Sequence, residues 1–108
     1  MKWQTINNSN EFKEQIKSNN LTIAKFSAEW CAPCQKMAEI IDELKDDYPN
    51  VVVLDIDVEI AEDSLLTEYS VKNIPLILFF KDSLIIDKVV GVMPKDKFIE
   101  KIEENLKK

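Results

Sequence analysis

The sequence predicts an α/β domain: a central mixed five-stranded sheet with four helices on its two faces. Two apolar periods alternate along the chain, short β-branched and aromatic runs of strand type and longer stretches whose apolar residues recur three and four apart. The resulting order, β-α-β-α-β-α-β-β-α, requires right-handed crossovers among the first three strands, hence parallel pairing, and a hairpin between the last two. A length of 108 residues suits one domain with a single core, and the lone glycine, Gly91, leaves no flexible linker to divide it.

The first strand run is Trp3 to Ile6, followed by a helix with Asn8 or Ser9 as its cap and Phe12 and Ile16 on its inner face. A second run, Leu21 to Ser27, leads into a helix that starts near Cys31. Met37, Ile41, Leu44 and Tyr48 lie at offsets of 0, 4, 7 and 11, which predicts one continuous helical face ended by Pro49 and Asn50. The third run, Val51 to Asp57, precedes a helix centred on Leu65, Leu66 and Tyr69. Leu76 to Lys81 and Leu84 to Val90 are separated only by Asp82 and Ser83, a two-residue connection without the usual glycine. Pro94 fits the first turn of a last helix burying Phe98, Ile99, Ile102 and Leu106.

Composition narrows the function. A net charge of -6 argues against a nucleic-acid binder, which needs a basic face to neutralise phosphate. All 14 basic residues are Lys, so bidentate guanidinium recognition is absent. No apolar run reaches the length of a signal peptide or a membrane span, and a soluble, cytoplasmic protein is expected. In a reducing compartment a close cysteine pair is more often catalytic or metal-binding than structural.

That pair is Cys31 and Cys34, the only cysteines in the chain. A structural zinc site needs four ligands, and there is no His and no third Cys, so carboxylates or a second subunit would have to complete it. A purely structural disulfide would close so short a loop that it constrains little of the unfolded chain. Redox chemistry accounts for the spacing better. Cys31 falls near a helix N-cap, where unpaired N–H groups and the positive end of the dipole favour thiolate. Cys34, one turn inside, is placed to attack a mixed disulfide formed at Cys31. Pro33 stiffens the intervening loop at a position where no helical N–H is needed. The pair is read as the active site, with no metal.

"EWCAPC" closely resembles the thioredoxin active-site motif, usually Trp-Cys-Gly-Pro-Cys. "KFSAEWCAPC", "VLDID", "VKNIPLILFF" and "VVGVMPKDKF" extend the resemblance, in order, over essentially the whole chain. It implies the thioredoxin fold and the reduction of protein disulfides by thiol exchange. No bound cofactor is implied; electrons would come from NADPH through a thioredoxin reductase. Disulfide-containing clients and that reductase are the expected partners of a monomer. By the same resemblance Cys31 attacks and Cys34 resolves. Trp30, Ala32 and Pro33 belong to the docking surface, although Trp30 taken alone also reads as a core aromatic. Pro75 matches a cis proline facing the cysteines, with the backbone of Ile74 free to pair with an extended client segment. Gly91 matches a glycine lining that surface; its plain reading is a turn or bulge.

Several positions depart from the family pattern. Lys25 stands where thioredoxins usually carry a buried Asp behind the active site, and Val53 where that Asp often has a Lys partner. On a strand, Lys25 shares a face with Ile23 and Ser27, within reach of Asp55, Asp57 or water. It is either a structural ion pair or, with those carboxylates, a modulator of the cysteines. Ser27, Ala32, Glu39 and Ser83 replace a common Trp, Gly, Pro and Gly. Three rival functions follow: a more oxidising oxidase or isomerase, a glutaredoxin, and an accessory or binding subunit whose cysteine chemistry is dispensable. The glutaredoxin reading is the weakest, because the Cys-Pro-aromatic-Cys pattern is missing.

Overall fold

The computed structural model describes residues 1–108. Its elements are β1 (Lys2–Thr5), α1 (Ser9–Gln15), β2 (Thr22–Ser27), α2 (Ala32–Asp42), β3 (Val52–Asp57), α3 (Asp63–Glu68), β4 (Leu76–Lys81), β5 (Leu84–Val90) and α4 (Lys95–Leu106). The order across the sheet is β1-β3-β2-β4-β5. Both β1 and β2 run parallel to β3, whereas β4 is antiparallel to β2 and to β5. This is the thioredoxin fold, a mixed five-stranded sheet flanked by helices. No helix is long and apolar enough to cross a membrane.

Alternation along the inner strands divides the core in two. Ile23, Val53, Ile77 and Phe79 face α2 and α4, where Met37, Ile41, Phe98 and Ile102 meet them. Ala24, Phe26, Leu54, Ile56, Leu78 and Phe80 face α1 and α3, where Phe12 and Leu65 cover them. Phe12 anchors that side, its ring 6.0 Å from Phe26, 5.6 Å from Phe80 and 4.9 Å from Tyr69. Asn8 starts α1 as expected, its side chain accepting from the Glu11 N–H at 2.9 Å.

The structure corrects two helical readings. α2 ends at Asp42, not at Pro49. Leu44 is still buried, but in the turns that follow, and Tyr48 has a φ of 54° that no helix accommodates. The apolar spacing outlasts the helix because the turns bend back over the same core. In α4, Asn105 is fully buried while Leu106 is 39% exposed. The inward line runs Phe98, Ile102, Asn105, so Leu106 falls outside the buried stripe, and Ile99 is only partly buried. Pro94 is the cap of α4, not a residue of its first turn.

The β4–β5 turn works without glycine. Asp82 and Ser83 have φ of 51° and 69°, the pair of left-handed residues a two-residue hairpin requires. Their N–H groups donate to the carbonyls of Ser18 and Ile16 at 3.0 and 2.8 Å, which holds the turn against the end of α1. Further along, Phe79 pairs with Asp87 and Phe80 with Ile85, so Ile86 is the extra residue of a bulge.

Asp87 ties β5 to α4. Asn105 donates to its Oδ2 at 2.8 Å, and the Lys101 ammonium lies 3.2 Å from both carboxylate oxygens. Burial by itself would raise the Asp87 pKa. The hydrogen bonds from Asn105, the Lys88 backbone and Lys101, with the Lys101 charge, outweigh it and hold the group below its ordinary value. A depressed carboxylate contributes stability that is complete above the unfolded value of about 3.9 and lost as pH falls through the lower folded value. Asp87→Ala should therefore lower stability at pH 7 by about 1–3 kcal/mol, because it removes the acceptor of one buried Asn105 N–H, the other donating to the Lys101 carbonyl at 2.8 Å. The deficit should shrink below about pH 4. Thermal melts of both proteins at pH 7 and pH 3 check this; equal melting temperatures at pH 7 would remove the network from the account.

Candidate active site

The two cysteines sit where β2 hands over to α2. After Ser27 the chain turns through Ala28, Glu29 and Trp30, a turn closed by the Cys31 N–H to the Ala28 carbonyl at 3.2 Å and by the Gln35 amide to the Glu29 carbonyl at 2.6 Å. Cys31 is the N-cap, with extended backbone at φ -93° and ψ 108°. Its Sγ accepts the Cys34 N–H at 3.2 Å, taking the place of the usual capping oxygen. Pro33 occupies the first turn, where its missing N–H leaves no gap. Cys31 and Cys34 are joined in a disulfide, their Cα atoms 5.2 Å apart. Both sulfur-bearing residues are buried, whereas Ala32 and Pro33 between them are exposed.

Three segments from elsewhere in the chain surround the pair. Trp30 is 68% exposed, which sets aside its reading as a core aromatic. Its indole N–H donates to Glu59 Oε1 at 2.5 Å, and the Glu59 N–H donates in turn to Asp57 Oδ1 at 2.9 Å. Ile74 packs against Ala28, Cys31 and Cys34 together with Val58. The Ile74–Pro75 bond is cis. Neither the N–H nor the carbonyl of Ile74 makes a backbone hydrogen bond, and β4 begins only at Leu76. Gly91 donates to the Pro75 carbonyl at 2.9 Å. Its φ of 83° is what requires glycine, since an added Cβ would meet nothing within 4 Å. The surface above it is therefore open.

Behind the cysteines a cleft of about 230 Å³ is lined by Cys34, Ala38, Lys25, Asp55, Asp57 and Glu29 among others. Lys25 pairs with Asp55, Nζ to Oδ1 at 3.2 Å, rather than with Asp57, whose Oδ1 is taken by the Glu59 N–H. No group of three or more Cys, Asp or Glu side chains is arranged to hold a metal ion.

Residues 3–104 match the Thioredoxin family model. The chain belongs to the thioredoxin family. It is similar to a thioredoxin of Staphylococcus saprophyticus, 37% identical over 98 residues that cover 88% of this chain and 90% of the relative. It is also 37% identical to Thioredoxin-2 of Pyricularia oryzae over 89 residues, 82% of this chain but only 52% of that longer relative. Among solved structures, a mutant thioredoxin from Halobacterium salinarum superposes with a TM-score of 0.86 at 26% identity, covering 97% of this chain and 91% of the other. Family, fold and the Cys31–Cys34 disulfide together make this a thioredoxin-fold protein with a redox-active disulfide, suited to protein thiol–disulfide exchange.

Sequence reasoning missed Glu59 as the partner of Trp30, and Ile60 and Val92 as exposed apolar residues, 65% and 45% accessible. An apolar residue in the loop after a strand, as in "DVEI", is the signal that was present. Because the Trp30–Glu59 bond is exposed, Glu59→Ala should change stability by no more than about 0.5 kcal/mol. It should nevertheless increase Trp30 mobility. Steady-state anisotropy in a background with Trp3→Phe checks this; unchanged anisotropy would show that the bond does not hold the ring.

Proposed function

We propose that this protein is a thioredoxin-type disulfide reductase that passes electrons from a thioredoxin reductase, and ultimately NADPH, to client proteins, working as a monomer in the cytoplasm. The observation that carries the reading is the placement of the cysteine pair at the start of α2, beside exposed Trp30 and the unpaired backbone of Ile74. In the disulfide the Cys31 sulfur accepts the Cys34 N–H at the start of α2; once the bond is opened, that N–H and the positive end of the helix favour thiolate over thiol. An extended client segment can hydrogen-bond to Ile74 as a strand does to a sheet edge, which brings its disulfide over the pair. Cys31 attacks one client sulfur and expels the other. Cys34 then attacks Cys31 and releases the second client sulfur, so the client leaves as a dithiol and the protein as the disulfide seen here.

Coupled reduction of insulin with NADPH and a thioredoxin reductase tests the reading. Turnover is expected, and it should vanish in Cys31→Ser. Absence of turnover by the unaltered protein would favour an accessory, binding role. Trapping separates the two cysteines: Cys34→Ser should accumulate mixed disulfides with clients and Cys31→Ser almost none. Equal trapping would reverse the assignment of attacking and resolving sulfurs.

A further inference from the structure

Gln35, one residue beyond Cys34, is exposed and takes no part in the exchange of electrons described above. Side chains on an α-helix lean towards its N-terminus, and this one leans back over the turn before α2. Its Nε2 donates to the Glu29 carbonyl at 2.6 Å, while its main-chain N–H donates to the Cys31 carbonyl at 3.1 Å. One residue thus grips the carbonyls on either side of Trp30. The turn has little else to hold it. Neither Glu29 nor Trp30 takes part in a backbone–backbone hydrogen bond, and the closing bond runs from the Cys31 N–H to the Ala28 carbonyl. Water could satisfy the exposed Glu29 carbonyl almost as well, so the Gln35 bond adds little to overall stability. What it does is fix the main chain that leads into Trp30 and Cys31.

We propose that Gln35 is a positioning residue for client docking: by holding the Glu29 carbonyl it keeps the Trp30 ring and the Cys31 sulfur in one arrangement before a client arrives. The inference rests on the reading of Cys31 and Cys34 as a dithiol that reduces protein disulfides. Trp30, 68% exposed, offers a client a broad apolar face next to Cys31. A ring on a loose turn must be ordered when the client binds, and that ordering weakens docking; a ring already ordered binds without the loss. Glu59 restrains the same residue through its indole N–H. The two restraints hold different parts, Glu59 the tip of the side chain and Gln35 the main chain beneath it. The Cys31 sulfur is engaged by the Cys34 N–H, a bond in which the Gln35 side chain has no share. A disulfide small enough to reach that sulfur without touching Trp30 therefore gains nothing from Gln35. Loss of the amide should separate protein clients from small disulfides.

The test uses the whole chain, reduced chemically beforehand so that no reductase takes part. Quenched-flow reactions with insulin over a range of concentrations, and with hydroxyethyl disulfide, are read by alkylation and mass, with thermal melts alongside. Gln35→Met keeps a side chain of similar length without the donor. Gln35→Lys restores a donor, and high salt screens the charge it adds. Gln35→Met should raise the insulin concentration at half-maximal rate by about threefold to tenfold, the effect of one lost hydrogen bond. Its maximal rate with insulin and its rate with hydroxyethyl disulfide should stay unchanged, and Gln35→Lys should recover the original half-saturation. A bond that only stabilises the fold would lower the melting temperature and leave half-saturation in place. The proposal is overturned by unchanged half-saturation in Gln35→Met, by an equal fall of its rates with both disulfides, or by a Gln35→Lys that behaves like Gln35→Met. Failure of the chemically reduced protein to reduce insulin at all overturns it together with the reductase reading. Insulin reduced here but not in the coupled assay counts against the reductase reading alone.

Discussion

Strand β2 is covered on both faces, and the positions of the core, the turn and the cysteines follow from that constraint. Its side chains alternate into two separate apolar layers, Ile23 towards α2 and α4 and Phe26 towards α1 and α3, both without measurable exposure. Burying each such side chain stabilises the fold by about 1.5–3 kcal/mol. A slip of one residue against β3 or β4 would exchange the two faces and lose that contribution at every position. The register is therefore firmly held, and with it the point at which β2 ends and the chain must turn into α2. Cys31 occupies that point.

A site built this way inherits the rigidity of the sheet. The first turn of α2 brings a backbone N–H to the Cys31 sulfur, and the start of β4 brings Ile74 against both cysteines from the other side. Gly91 joins the same surface through its hydrogen bond to the Pro75 carbonyl. Three loops that are distant in sequence thus meet at one end of the sheet, each anchored by an adjoining strand or helix. Exposed apolar side chains are spread over the molecule, Trp30 next to the cysteines and Leu84 and Ile85 after the β4–β5 turn among them.

Charge is used unevenly across the molecule. Pairs such as Lys17–Glu14 and Lys97–Glu100 are largely exposed and contribute little, since water and salt screen them. Lys25–Asp55 and Lys101–Asp87 differ because at least one partner is substantially withdrawn from solvent. The second of these fastens α4 to the edge strand with the help of the buried Asn105 amide. The first stands beside the chemistry. Their burial, rather than the number of ion pairs, is what makes them consequential.

Local pattern determined most of the architecture. Strands β4 and β5 were legible to the residue because Pro75, the Asp82–Ser83 turn and Gly91 bound them, and these residues restrict the backbone wherever they stand. The cysteine pair was equally legible, since its spacing and its place at a strand-to-helix junction are properties of consecutive residues. Tertiary structure decided the rest. Leu44 and Tyr48 keep the helical period after the helix has ended, because the turns pack on the same core and periodicity records burial rather than hydrogen bonding. Asp55 and Asp57 lie two residues apart on the same face of β3, and only the register that sets Lys25 opposite Asp55, with Asp57 engaged by Glu59, selects the partner. Trp30 could be read as core or surface until the loop carrying Glu59 was in place beside it. Spacing along a chain reports what each residue does to its own backbone; pairing between distant segments depends on how they pack, and no local period encodes it.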